Sequence, residues 1–134
     1  MKQIILIGDS ISMGYRGFVQ CELHGIATCW GPAENGGTSR NVLAHLDEWV
    51  LSRPADVVHI NCGLHDLKRE FGAAETNVPL DEYENNVRLI FQKIREQSAA
   101  RLIWAMSMRR ICSIAWVARC ARPGSESVVS WINS

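Results

Sequence analysis

Asp9 and Ser10, in the stretch ILIGDSISMG (residues 5–14), have the clearest chemical potential in the chain. A short apolar run ends there in Gly-Asp-Ser, and a helical pattern begins at once. A serine carried on a sharp turn at the end of a buried strand has an exposed hydroxyl, as a nucleophile for acyl transfer requires. The same position also suits a helix N-cap, the commoner task for Ser or Asp before a helix. Asp9 reads as orienting the turn through hydrogen bonds rather than as an acid or base. A nucleophilic serine needs a base, and the histidines are His24, His45, His59 and His65. Cys62 and His65 form a Cys-x-x-His pair, but a zinc site needs further ligands. No second pair of suitable spacing exists, so no metal is expected.

Alternating strands and helices would have to hold these residues. QIILIG (3–8) reads as a buried strand, 11–24 as a weak helix containing two glycines, and IATCW (26–30) as a short strand. GPAENGG (31–37) is a loop by composition. From Ser39 a helix is expected, because Val42, Leu43, Leu46, Trp49 and Val50 recur at helical spacing, and Pro54 stops it. Thr38 and Ser39 read as its caps. DVVHINC (56–62) is a β-branched strand, followed by a long loop from Gly63 to Pro79. Residues 80–98 form the clearest helix, with Tyr83, Val87, Ile90, Phe91 and Ile94 in one stripe. RLIWAM (101–106) is a fourth strand. This order predicts a parallel sheet covered on both faces. The turns after the first three strands would then share one edge, where such sheets bind ligands.

Composition excludes several classes. The chain has 134 residues, enough for one domain, and 14 basic against 14 acidic residues leave no net charge to attract nucleic acid or a membrane surface. No apolar run is long enough to span a bilayer, and the N-terminus lacks a signal-peptide pattern. Five irregularly spaced cysteines then point to reduced thiols and a cytoplasmic location. A nucleotide-binding module would need a phosphate-cradling glycine loop, and GDSISMG supplies only Gly8 and Gly14.

Three motifs in order resemble the SGNH hydrolases, also called GDSL esterases and lipases. ILIGDSIS is similar to the first block of that family, NGG (35–37) to the second, and INCGLHDL (60–67) to the third. The resemblance covers residues 1–106 and implies a flavodoxin-like three-layer α/β/α fold with a parallel sheet. It implies a serine esterase working through an acyl-enzyme on a small-molecule ester, an acetylated sugar being one candidate, without metal or organic cofactor. Ser10 would be the nucleophile. The oxyanion would be held by the backbone N–H groups of Ser10 and Gly37 and by the side chain of His65, with Asp9, Asn35 and Asp66 in support. Asp66 is expected to tie down the loop containing His65 by accepting backbone N–H bonds; an Asp66–His65 dyad serving Ser10 is the other reading.

Two departures from the family pattern matter. Position 65 is His where the family has Asn; an imidazole still donates one N–H. The Asp-x-x-His block is absent, since no His follows His65 and no Asp follows Asp81. The resemblance therefore implies an impaired esterase, with a ligand-binding, non-catalytic fragment as the alternative. Residues 107–134 differ abruptly in composition: Glu126 is their only acid and they contain no lysine. They read as a frameshifted, truncated or disordered tail on a domain incomplete at its C-terminal side. Arg16, Lys68 and Arg69 read as solvated charge, His59 as a core or strand-edge residue, and Trp30, Trp49 and Trp104 as core aromatics.

Overall fold

A computed structural model describes residues 1–106; the expectations for 107–134 lie outside the described residues. The elements are β1 (Lys2–Ile7), α1 (Ser10–Glu22), β2 (Ala27–Trp30), α2 (Ser39–Ala44), a π-helical turn (Asp47–Leu51), β3 (Val57–Ile60), α3 (Leu64–Leu67), α4 (Leu80–Gln97) and β4 (Arg101–Trp104). All four strands are parallel in the order β2-β1-β3-β4. The expected α/β fold with a parallel sheet is therefore present.

Strand order decides where the site lies. The chain steps from β1 to β2 in one direction, then crosses back past β1 to reach β3 and β4. Right-handed crossovers place α1 on one face of the sheet and α2 and α4 on the other, and α2 does pack on α4. The reversal occurs between β1 and β3, which pair with Ile7 opposite Ile60. Open parallel sheets bind their ligands beyond the carboxyl ends of the strands at such a reversal.

The core fills the α2–α4 side. Ile5, Ile7, Val58 and Ile60 from the sheet meet Val42, Leu46, Trp49 and Val50, and the α4 stripe of Tyr83, Val87, Ile90, Phe91 and Ile94. Phe91 and Trp104 close one end edge to face, with ring centroids 5.2 Å apart. Asp81 and Glu82 in the first turn of α4 and Arg95 in its last complement the helix dipole. Trp49 and Trp104 are core residues as expected, whereas Trp30 is half-buried beneath Arg53, whose guanidinium carbon lies 3.8 Å from the ring centroid.

Two expected boundaries differ. The helix from Ser39 does not run regularly to Pro54: α2 ends at Ala44, and a wider turn follows, closed by Ser52 N–H donating to Asp47 O at 2.8 Å. That turn keeps both Trp49 and Val50 buried, and Trp49 stacks on His45 at 4.6 Å. The loop after β3 also holds the single turn α3.

His59 sits within β3, its ring edge-on to Tyr15 at 6.2 Å, and its Nδ1 has no hydrogen-bond partner among the described residues. Burial holds the imidazole below its ordinary value of 6.5. The unfolded chain therefore binds a proton that the native chain refuses as pH falls, so His59's contribution is complete above that value and is lost below it. Between about pH 7.5 and 5.5, urea midpoints should fall for the wild type and change less for His59→Leu.

Candidate active site

The three sequence blocks meet at the carboxyl end of β1. Asp9, fully buried, caps α1 by accepting Ile11 N–H on Oδ1 at 2.9 Å. The turn is thus oriented by Asp9 as expected, and Ser10 is not the cap: it is the first residue of α1, with its side chain exposed. A residue in that position has no carbonyl of its own helix to receive its N–H, so the Ser10 amide is open to an outside acceptor. Ser10 Oγ makes no hydrogen bond among the described residues.

The β3 end is joined to this turn by Asn61, whose Nδ2 donates to Asp9 Oδ1 at 3.2 Å. Only a glycine fits beside it, because a Cβ on Gly8 would lie 1.7 Å from Asn61 Oδ1 and 2.5 Å from Ser12 Cβ. The second block docks through Gly36, which donates its N–H to Gly8 O at 2.9 Å. A Cβ there would stand 2.7 Å from the same carbonyl oxygen. Gly37 follows at φ +59, a left-handed conformation natural to glycine, and its N–H is held by Asn35 Oδ1 at 2.8 Å.

Asp66 holds its own loop through a backbone N–H, as expected, and the donor comes from a distant segment. That donor is Ser39 in the second block: Oδ1 and Oδ2 lie 2.9 and 3.0 Å from Ser39 N, and Ser39 Oγ donates to Oδ1 at 2.5 Å. Asn86 on α4 donates to the same hydroxyl at 3.1 Å. Asp66, Ser39 and Asn86 are all buried. The cap of α2 is Thr38, whose Oγ1 accepts from Asn41 N at 3.4 Å; Ser39 belongs to the buried network instead. Asp66 is therefore committed to α2 and forms no dyad with His65. The His65 loop is tied down further by its own residues, with Asn77 Nδ2 donating to His65 O at 3.0 Å and Val78 N–H to Asp66 O at 3.0 Å.

His65 is half-buried on α3 and lines, with Leu64, Leu67 and Lys68, an open cavity of about 350 Å³. No histidine is hydrogen-bonded to Ser10 among the described residues. His24 lies beyond the far end of α1, about 20 Å from Ser10 along a helix of this length. His45 directs Nδ1 at Asn41 O, 3.0 Å away. Arg16 is not a solvated charge: it is half-buried and donates to Pro32 O at 2.6 Å. Lys68 is exposed and paired with Glu70 at 3.1 Å, and Arg69 is exposed.

No protein-family model matches the sequence, and no curated protein matches it significantly. Solved structures do. The acetyl xylan esterase AlAXEase superposes with a TM-score of 0.64 at 22% identity over 78% of this chain and 57% of its own. An acetylxylan esterase from Geobacillus stearothermophilus gives 0.65 at 23%, over 77% and 58%. A GDSL-like lipase from Bacteroides thetaiotaomicron gives 0.59 at 21%, over 77% and 47%. The fold is that of the SGNH hydrolases. The chain spans between 47% and 58% of the length of these three proteins.

Asn61, Ser12, Asn86 and the true role of Ser39 escape a reading of the sequence. A faint signal exists in the polar residues that interrupt otherwise apolar patterns: Asn61 at the end of β3 and Asn86 inside the α4 stripe. Asp66→Ala leaves two Ser39 donors buried without an acceptor and should cost about 2–4 kcal/mol in chemical denaturation. Asp66→Asn keeps an acceptor and should cost less. Gly8→Ala should cost as much as Asp66→Ala or more, since its Cβ lands on Asn61.

Proposed function

We propose that this chain is a serine esterase of the SGNH type, acting on a carboxylic ester of a small molecule through an acyl-enzyme. The observation carrying this reading is the exposed Ser10 at the carboxyl end of β1, beside the switch point, with the Gly37 loop docked on Gly8 and the His65 loop joined to that second block through Asp66 and Ser39. Ser10 Oγ attacks the ester carbonyl carbon, and the carbonyl electron pair moves to oxygen. That oxyanion accepts from the N–H groups of Ser10 and Gly37 and from an imidazole N–H of His65. Its collapse expels the alcohol and leaves acyl-Ser10, which water hydrolyses. Acetyl groups on sugars are the favoured substrate class, in keeping with the acetyl xylan esterases that share the fold.

With no imidazole bonded to Ser10 among the described residues, the Ser10 proton passes to solvent water and solvent returns one to the departing alkoxide, a poor substitute for a positioned base. Turnover by this chain is therefore slow. The same observation favours a second reading, a fragment that keeps the ester pocket and binds without turnover. Hydrolysis of p-nitrophenyl acetate by the full chain, measured against Ser10→Ala, separates the two. The esterase reading expects the wild type to exceed Ser10→Ala at least about tenfold, and His65→Ala to lose about 10- to 100-fold. Equal rates for the wild type and Ser10→Ala would leave only the binding reading.

A further inference from the structure

Asn41, half-buried on α2, engages the loop that carries Gly37. Its Nδ2 donates to Gly36 O at 3.1 Å and to Asn35 O at 3.3 Å. Those carbonyls belong to the peptide units whose N–H groups are Gly36 N–H and Gly37 N–H. A peptide unit is planar, so holding its oxygen sets the direction of its N–H. Asn41 thus aims both amides from behind. In front, the two differ. Gly36 N–H is spent on a main-chain carbonyl, Gly8 O, at a buried position. Gly37 N–H meets the carboxamide oxygen of Asn35, an exposed side chain free to rotate away.

From this arrangement, which rests on the esterase reading, we infer that Asn41 is the positioning residue of the oxyanion loop and Asn35 its displaceable acceptor. In the resting chain Asn35 Oδ1 occupies the place of a substrate oxygen on Gly37 N–H. Substrate entry exchanges one acceptor for another while Asn41 holds the peptide plane still. The donor is then satisfied in both states, and its direction is not lost when Asn35 leaves. Asn41 itself is anchored at its N–H by Thr38 Oγ1 and at its carbonyl by His45, so its side chain acts from a fixed base.

Two variants and two readouts test this. In Asn41→Leu, with a melt matching the wild type, kcat for p-nitrophenyl acetate should fall about tenfold with KM changed less than about twofold, the pattern of a misaimed transition-state donor. Hydrogen exchange at the Gly37 amide, followed by NMR in the full chain, should accelerate by a similar factor while the α4 amides keep their rates. Asn35→Ala should also accelerate exchange at Gly37 and lower KM by about twofold or more, because it removes the acceptor that competes with substrate. A loss of kcat in Asn35→Ala as large as that in Asn41→Leu would overturn the assignment. So would wild-type exchange at Gly37 in Asn41→Leu. If the wild type shows no turnover beyond Ser10→Ala, the esterase reading fails on its own, and the exchange rates still decide whether Asn41 holds the loop.

Discussion

The turns after β1, β2 and β3 meet because two Cβ atoms are missing where they touch. Gly8 leaves room for the carboxamide of Asn61, and Gly36 lets the second loop lay its amide against Gly8 O. Either side chain would drive a strand end and a loop apart by more than a core can absorb. Everything at this edge of the sheet inherits its spacing from those two contacts.

A buried carboxylate secures what the glycines permit. Asp66 spends both oxygens on Ser39, and Asn86 completes the Ser39 hydroxyl from α4. Polar groups at this depth are costly unless paired, and here the pairing is what ties the third loop to the start of α2. On the outside, Arg40 bridges α2 to Glu82 on α4 and to Asn77 O in the loop between. That exposed pair adds little energy by itself, but it crosses the same three segments as the buried network. The loop carrying His65 is therefore held from within and from without.

Ser10 benefits from this framework without taking part in it. Asp9 does the capping, Asn61 and Ser12 pack beneath, and the Ser10 hydroxyl is left unclaimed at the carboxyl end of β1. Oxyanion stabilisation and nucleophile activation are separable parts of acyl transfer. Among the described residues the loops carrying the Ser10 and Gly37 amides meet at one strand end, and no histidine is hydrogen-bonded to Ser10. The chain spans 57% and 58% of the two acetyl xylan esterases whose fold it shares.

Local patterns in the sequence were enough for the α/β class, the four strands, the α4 stripe and the placement of Gly-Asp-Ser at a strand end, because periodicity and turn residues act over a few neighbours. The SGNH resemblance also rested on short blocks. The interruption of the helix after Ala44 was not legible, since it depends on seating Trp49 and Val50 together in the core. The partner of Asp66 lies 27 residues away at Ser39; only the docking of α3 against α2 brings them together. Ser10 and Asp9 competed in sequence for the cap of α1, and the backbone geometry assigned it to Asp9. The residue types and their order belong to the sequence alone, while the fold decided which polar groups are consumed in holding the site and which remain for a ligand, because burial and hydrogen-bond partnership are properties of contacts between distant segments.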